Sequence, residues 1–300
     1  MKLKNSKKKA LKHKRDEFLW GWLFILPTML GLVILNIIPI MQTIYQSFFR
    51  TGDFGRGNIF IGVENYIRLI NDTDVWHAVW NTLRYVFLEV PLSIIISLIL
   101  AALLNRKIKF RGLYRTIFFL PMVVAPAAIA MVWRWIYNSR FGLINNVFGL
   151  NVNWISDPRI AIYSIAVIGI WAVIGFNMVL FLAALQEVPK DYYEAAKIDG
   201  ASGLQQFLKI TIPLISPIIF FVSVTRIIAA FQLFDLIFMV MERENPALRN
   251  TQSLVYLFFR HAFTERNVGY ASAIVVLLLV LIIIVTFIQI KISKKLVHYN

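Results

Sequence analysis

The stretch from Glu194 to Pro213, EAAKIDGASGLQQFLKITIP, lies between two long apolar runs in a chain that consists mostly of such runs. It has charged, small and turn-forming residues but no metal-ligand cluster and no phosphate-binding loop. The helix formers of KDYYEAAKID are followed by Gly200, which can adopt the positive φ that ends a helix. Ser202 and Gln205 form a capping-box pattern, which predicts a second short helix from Leu204 to about Ile210. The stretch therefore predicts a short helical hairpin.

The composition indicates a membrane protein. The chain has 300 residues, of which 59% are hydrophobic, and its mean hydropathy of +0.68 is too high for a soluble domain. A bilayer core about 30 Å thick needs about 20 apolar helical residues to cross it, and several segments reach that length. The net charge of +15 collects at the ends of apolar segments, which argues against nucleic acid as a partner. The sequence has no cysteine, which excludes disulfides and cysteine metal sites, and its four histidines have no ligand spacing.

Six apolar segments are long enough to cross a bilayer, so we predict an all-α, polytopic membrane protein with six transmembrane helices. The long run after the lysine-rich N-terminus lacks an A-x-A cleavage site and is interpreted as a retained first helix. Prolines in or near several spans are typical of a bundle around a cavity. The predicted spans cover residues 18–49, 82–105, 113–137, 160–186, 212–241 and 270–290.

Basic residues predict the orientation of these spans. Six spans put both termini on one side, together with the loops near residues 106–112 and 187–211. Every lysine of the sequence lies on that side, whereas the other side has arginines interleaved with acidic residues. Under the positive-inside rule the lysine side is cytoplasmic. The termini and the 194–213 hairpin are therefore predicted to face the cytoplasm.

The hairpin has the composition of a docking element. Ala195 and Ala196 allow another backbone to approach closely, and the charges of Glu194 and Asp199 can flank such a contact. On its caps alone, however, the stretch is equally well explained as an ordinary loop between helices. The apolar anchors of the hairpin are Tyr192, Tyr193, Ile198 and Phe207.

The residue pattern of the stretch distinguishes a docking element from an ordinary loop. The pattern E-A-A-x-x-D-G-A, then a phenylalanine and then I-x-I-P, resembles the EAA loop of importer-type ABC permeases. The chain also resembles the maltose and glycerol-phosphate type of carbohydrate permease (the MalF/UgpA-like half) over nearly its whole length from about residue 18. It departs at ERENPALRN (242–250), where members often have a GGGP turn. The EAA match consists of Glu194, Ala195, Ala196, Asp199, Gly200, Ala201, Phe207, Ile210, Ile212 and Pro213. Other matching segments include FIGVENYIRL (60–69), RGLYRTIFFLPMVVAPAAIAMVWRWIY (111–137) and TQSLVYLFFRHAF (251–263).

This resemblance implies the MetI-like ABC permease fold, in which the hairpin inserts into a surface cleft of an ATPase subunit. The implied partners are a second, MalG-like permease, two ATP-binding cassette subunits, and an extracytoplasmic binding protein that delivers a sugar. The chain has no G-x-x-x-x-G-K-[ST] motif, so ATP and Mg²⁺ are expected on the partner subunits and none in this chain. The implied segments are a basic cytoplasmic tail (1–17), a first span with its outer loop (18–81), a five-helix core (82–290) containing the coupling loop 187–213, and a cytoplasmic tail (291–300).

Polar residues inside spans are costly and are therefore candidates for a solute path. In the related permeases the solute lies against the middle of the spans that correspond here to 160–186 and 212–241. The family contact positions correspond to Phe176, Arg226, Ala229, Ala230 and Leu233, so the maltose contact set is not preserved. The complete candidate set is Trp171, Phe176, Asn177, Arg226, Ala230, Gln232, Leu233 and Asp235.

Several alternatives remain at this point. Arg226 and Asp235 are nine residues apart, or about 13 Å along a helix, so they cannot pair with each other. Each could contact solute, a partner subunit or another residue of this chain. An anionic solute, such as glycerol phosphate or an acidic sugar, is the alternative to a neutral sugar. An ion-coupled secondary transporter predicts inverted repeats, which we do not find, and a membrane-embedded enzyme requires a cluster of titratable residues, which is also missing.

Overall fold

The structure is a computed structural model that describes residues 2–51, 58–106 and 108–296. Helices dominate it, as predicted, and a single small hairpin of strands is seen in the described part of the chain. The helices are α1 (Lys2–Leu32), α2 (Ile38–Gln46), α3 (Glu64–Asn71), α4 (Thr73–Leu104), α5 (Arg111–Val123), α6 (Pro126–Ile136), α7 (Leu143–Phe148), α8 (Ala161–Glu187), α9 (Lys190–Ile198), α10 (Gly203–Gln206), α11 (Ile212–Leu214), α12 (Ser216–Phe231), α13 (Asp235–Val240), α14 (Leu254–Phe259) and α15 (Val268–Leu296). Short π-helical segments cover Val33–Ile37, Phe207–Thr211 and Arg260–Thr264, and a 3₁₀ turn covers Leu248–Asn250.

Four helical segments are each long and apolar enough to cross a bilayer, and two bent helix pairs bring the number of candidate spans to six. The first span runs from Glu17 to Gln46 through the π-helical segment, and nothing in its apolar window is buried by the rest of the chain. It ends three residues before the predicted residue 49, because β1 (Phe49–Thr51) pairs there with β2 (Asn58–Phe60). The second and sixth spans are longer than predicted, since α4 begins at Thr73 and α15 continues to Leu296.

The long helices α4 and α8 form the centre of the bundle. Their close approach depends on small residues: a Cβ atom on Gly169 would lie 2.1 Å from the Tyr85 hydroxyl. Farther along, the Ser97 hydroxyl donates to the Ile174 carbonyl at 3.0 Å. These paired helices divide the core into two buried apolar clusters, one near each end of the bundle.

The third predicted span, 113–137, is not one straight helix. It consists of α5 and α6, which meet at an angle of 102°. Ala125 precedes a proline, and this position disfavours helical ψ; Ala125 has ψ 135° and Val124 has ψ 138°. Pro126 then occupies the first turn of α6, where its missing N–H is not required. Pro126 therefore breaks the predicted span into two helices.

The fifth predicted span, 212–241, is also broken. The segment Gly203–Leu214 and α12 are bent by 68° at Ile215. A second interruption separates α12 from α13 at residues 232–234. It contains neither proline nor glycine, and the Ser253 hydroxyl donates there to the Leu233 carbonyl, which has left the helical ladder. Tertiary contacts therefore determine this second break.

Candidate functional site

The predicted hairpin is present, and Gly200 makes its turn. Gly200 has φ +77°, the left-handed conformation that glycine adopts without steric penalty. Its N–H donates to the Lys197 carbonyl at 3.1 Å, and the N–H of Ala201 donates to the Ala196 carbonyl at 2.9 Å. These two bonds form the Schellman arrangement that closes a helix. The end of α9 is therefore fixed by its own backbone.

The second half of the hairpin begins with the predicted capping box. The Ser202 N–H donates to the Gln205 side-chain oxygen at 2.8 Å, and the Gln205 N–H donates to the Ser202 hydroxyl at 3.3 Å. The regular α-helix is shorter than predicted, because α10 ends at Gln206 and the chain continues as a π-helical segment. Because this segment runs directly into α11, the hairpin is continuous with the fifth span.

Two side chains attach the hairpin to the bundle. The Tyr193 hydroxyl lies 2.9 Å from the hydroxyl of Thr211, which is itself buried. Phe207 packs against the buried cluster that includes Leu104 and Leu185. Phe207 therefore faces the core of this chain, and the sequence alone did not separate it from the outward-facing anchors. A displacement of the hairpin would be transmitted to α8 and to the fifth span through these contacts.

The outer surface of the hairpin combines apolar and charged residues. Ile198 is 87% exposed and Leu204 is 68% exposed, although both are large apolar residues that would ordinarily be covered. Ala196, Ala201 and Pro213 are half-buried. The predicted coupling residues that are exposed beside this apolar surface are Glu194, Ala195, Asp199 and Gly200.

The solute-path candidates of the fifth span separate onto two faces. Arg226 and Ala230 lie one turn apart on one face of α12, Leu233 lies in the break that follows, and both Ala230 and Leu233 are buried against the core. Gln232 and Asp235 are exposed. They continue an exposed stripe that also contains Phe221, Thr225 and Ala229. We call this set, Phe221, Thr225, Ala229, Gln232 and Asp235, the span-five stripe.

Arg226 has a partner within the chain. Its Nη2 atom lies 2.6 Å from Oε1 of Glu89 in α4, and this carboxylate side chain is fully buried while the Arg226 side chain is 17% exposed. Oε2 of Glu89 and Nε of Arg226 are buried without a hydrogen-bond partner in the described part of the chain. The two residues are separated by 137 positions. The only sequence signal was that a carboxylate inside an apolar span requires a partner.

The candidates in α8 do not lie together. Trp171 and Phe176 are five residues apart, which places them about 140° apart around a helix with 3.6 residues per turn. Trp171 lines an apolar cavity of about 530 Å³ with Phe118 and Pro121 and contacts Trp133 edge-on at 5.6 Å. Asn177 is buried, and neither polar atom of its side chain has a partner among the described residues.

An ion network connects the loops at the opposite end of the bundle. Asp72 accepts a hydrogen bond from the Tyr270 hydroxyl at 2.6 Å. Burial would raise the pKa of Asp72, but this bond and others from the backbone outweigh it and lower that pKa. His261 lies 2.6 Å from Glu265. Burial, and to a smaller extent the charge of Arg260, lower the pKa of His261, and nearby Glu265 opposes this shift only partly.

Comparison with known proteins identifies the architecture. Residues 93–298 match the family model described as the binding-protein-dependent transport system inner membrane component. The chain belongs to this family. The match includes the hairpin and every candidate residue of the solute path, and it begins just after Glu89.

Curated relatives extend the similarity to almost the full chain. A probable ABC transporter permease protein, YesP of Bacillus subtilis, is 33% identical over 292 residues, covering 95% of this chain and 94% of the relative. The trehalose/maltose transport system permease protein MalF of Thermococcus litoralis is 33% identical, with 94% and 96% covered. The sn-glycerol-3-phosphate transport system permease protein UgpA of Pectobacterium atrosepticum is 33% identical, with 95% and 98% covered.

A solved structure shows the same fold. A bacterial ABC transporter involved in the import of the acidic polysaccharide alginate contains a chain that matches with a TM-score of 0.82 at 21% identity, covering 95% of this chain and 98% of that one. The ABC permease fold expected from the sequence is therefore confirmed.

Proposed function

We propose that the chain is the transmembrane permease subunit of an ABC importer that takes up a neutral sugar or oligosaccharide. An extracytoplasmic binding protein delivers the solute, and ATP hydrolysis in separate subunits drives its passage. Membership of the inner-membrane family supports the transport role. Relatives named for trehalose/maltose and lactose support the solute class.

The observation that carries the proposal is the exposed hairpin, which is capped by its own hydrogen bonds. Its turn is closed by the backbone bonds at Gly200, and its base is attached to the bundle through Tyr193 and Phe207. Its exposed apolar residues and Glu194 form a surface that fits a cleft with a basic rim, because a carboxylate–cation contact is strong when charge-assisted. An ATPase subunit that moved this surface would move the fifth span with it.

The remaining partners follow from the same arrangement. The span-five stripe places polar residues on the surface of an otherwise apolar bundle, which supports a second, MalG-like permease subunit against it. Two ATPase subunits, which hold ATP and Mg²⁺, would each receive one hairpin. The hairpin and both termini lie on the cytoplasmic side because all the lysines of the sequence are on that side.

The pairing of Arg226 supports one of the two solute classes. The relative named for sn-glycerol 3-phosphate makes an anionic solute the second candidate. Arg226 is already paired with Glu89 at 2.6 Å, so its guanidinium is less available to attract an anion. This pairing favours the neutral sugar.

Charge reversal of Glu194 tests the coupling role. The Glu194→Lys variant is expected to insert into the membrane and assemble while losing uptake, because its side chain would repel a basic cleft. Uptake and ATPase activity are measured on the complete importer in proteoliposomes. The chain has no cysteine of its own. The Ile198→Cys variant therefore has a single thiol, which can be crosslinked to the ATPase subunit.

The matched control is Glu244→Lys, the same change at an exposed position in the predicted outer loop. It is expected to leave uptake unchanged. Retained uptake in the Glu194→Lys variant, or a failure of the Ile198→Cys position to crosslink to the ATPase, would contradict the coupling role.

A further inference from the structure

We propose that Glu89 is a specificity-determining residue that masks the charge of Arg226, so that the path accepts hydroxyl-bearing neutral solutes and rejects anions. The inference rests on the proposed function. It assigns a role in solute selection to α4.

The two charged side chains of the pair differ in their exposure. Glu89 is fully buried, whereas Arg226 keeps 17% of its side chain exposed. Arg226 is therefore the member of the pair that reaches the accessible surface. A solute that approaches α12 meets the arginine first, but the carboxylate 2.6 Å behind it cancels the attraction for an anion. Attraction between unit charges is strong where water is excluded, so this cancellation controls the sign of the local field.

The unused hydrogen-bonding atoms of the pair match a hydroxyl group. Nε of Arg226 is a donor without an acceptor, and Oε2 of Glu89 is an acceptor without a donor. Buried polar atoms are nearly always hydrogen-bonded in native structures. Both atoms are closed to solvent in this conformation, so a sugar hydroxyl would accept from the arginine and donate to the carboxylate once the helices around the pair move apart. A carboxylate or phosphate group can only accept, and it would face the charge of Glu89.

The Glu89–Arg226 pair differs in burial from a second ion pair with the same contact distance. Arg134 and Glu242 make the same Nη2–Oε1 contact at 2.6 Å, but their side chains are 46% and 71% exposed. Water screens exposed ion pairs, which contribute little. The buried pair alone is expected to affect solutes, and the exposed pair provides a matched control.

The test removes the carboxylate and keeps the arginine. The complete importer is purified with Glu89→Gln, and retention of radiolabelled glucose and glucuronate is measured by equilibrium dialysis. These probes share one ring and differ by a carboxylate. We expect the ratio of retained glucuronate to glucose to rise about tenfold, which corresponds to about 1.4 kcal/mol. Glu242→Gln is expected to leave the ratio unchanged.

Further variants keep the test decisive. The double variant Glu89→Gln with Arg226→Gln has no charge and is expected to return the ratio to the wild-type value. If Glu89→Gln alone is not recovered, Arg226→Lys is added to it, because the flexible lysine stem can carry its ammonium toward the exposed side and lower the cost of the unpaired cation; this double variant is expected to show the same rise.

An unchanged ratio in a folded variant with an unpaired cation overturns the role of Glu89. Wild-type protein that retains neither probe counts against a sugar as the solute. In that case the two proteins are still compared for glucuronate. Higher retention by Glu89→Gln than by wild type supports the masking of Arg226, and equal retention overturns it.

Discussion

Replacing Gly200 by valine is expected to abolish transport while leaving the protein in the membrane. Gly200 has φ +77°, and a Cβ atom added there would meet nothing within 4 Å. The penalty is therefore conformational and does not come from packing. A left-handed backbone costs an ordinary residue about 1–2 kcal/mol, and a β-branched residue more. A change of about 1–2 kcal/mol alters an equilibrium about 5- to 30-fold, which is enough to unfold an exposed hairpin locally.

The control for Gly200 lies three residues away. Gly203 begins α10, and a Cβ atom there also meets nothing within 4 Å, but its φ is not positive. Gly203→Ala is expected to leave the hairpin intact, because alanine is favoured over glycine in a helix. Gly200→Asn should be milder than Gly200→Val, since asparagine tolerates the left-handed conformation.

The assay combines uptake by the reconstituted importer with amide hydrogen exchange of residues 190–206. Gly200→Val should speed exchange in this segment, abolish uptake, and leave exchange in α4 and α8 unchanged. Wild-type exchange together with wild-type uptake in the valine variant would refute the reasoning, because the turn would then not need glycine.

Three further changes test the stability of the bundle, each by thermal unfolding in detergent. Glu89→Gln should destabilise by about 3–5 kcal/mol, because it leaves a buried arginine without its partner. Gly175→Ala should destabilise by about 1–3 kcal/mol, because its Cβ would lie 1.9 Å from the backbone oxygen of Phe118. Stability should fall as the pH drops below about 6.5, the ordinary pKa of histidine, because burial keeps the pKa of His261 below that value and the unfolded chain binds the proton first.

Controls accompany these three tests. Gly112→Ala adds a Cβ that meets nothing within 4 Å and should leave stability nearly unchanged. The double neutral variant at Glu89 and Arg226 should be more stable than either single variant, as expected for an ion pair. His261→Asn should flatten the loss of stability in acid, and an unchanged pH profile would argue against His261 as its source.

Local signals predicted the hairpin well. The glycine turn at Gly200 and the capping box at Ser202 require specific residues within a few positions of each other, and both are present as predicted. The apolar runs likewise predicted helices because a bilayer needs a fixed length of them.

Long-range contacts could not be predicted in the same way. The break at residues 232–234 has no proline or glycine and depends on the distant Ser253 hydroxyl. The pairing of Glu89 with Arg226 joins residues 137 positions apart. Phe207 and Tyr193 resemble surface anchors in the sequence, but the fold turns them inward. Each of these features is decided by how the helices pack.

The span-five stripe has a consequence for assembly in the cell. Asp235 and Gln232 lie on the surface of this chain, and polar or charged side chains that face lipid within a span are costly. In a single copy of the chain, the exposure of the span-five stripe to lipid is therefore unfavourable until another subunit covers it. Copies made in excess of the partner subunit would keep this surface uncovered, and membrane proteases would degrade them. Degradation would thus keep the amount of this subunit equal to that of its partner.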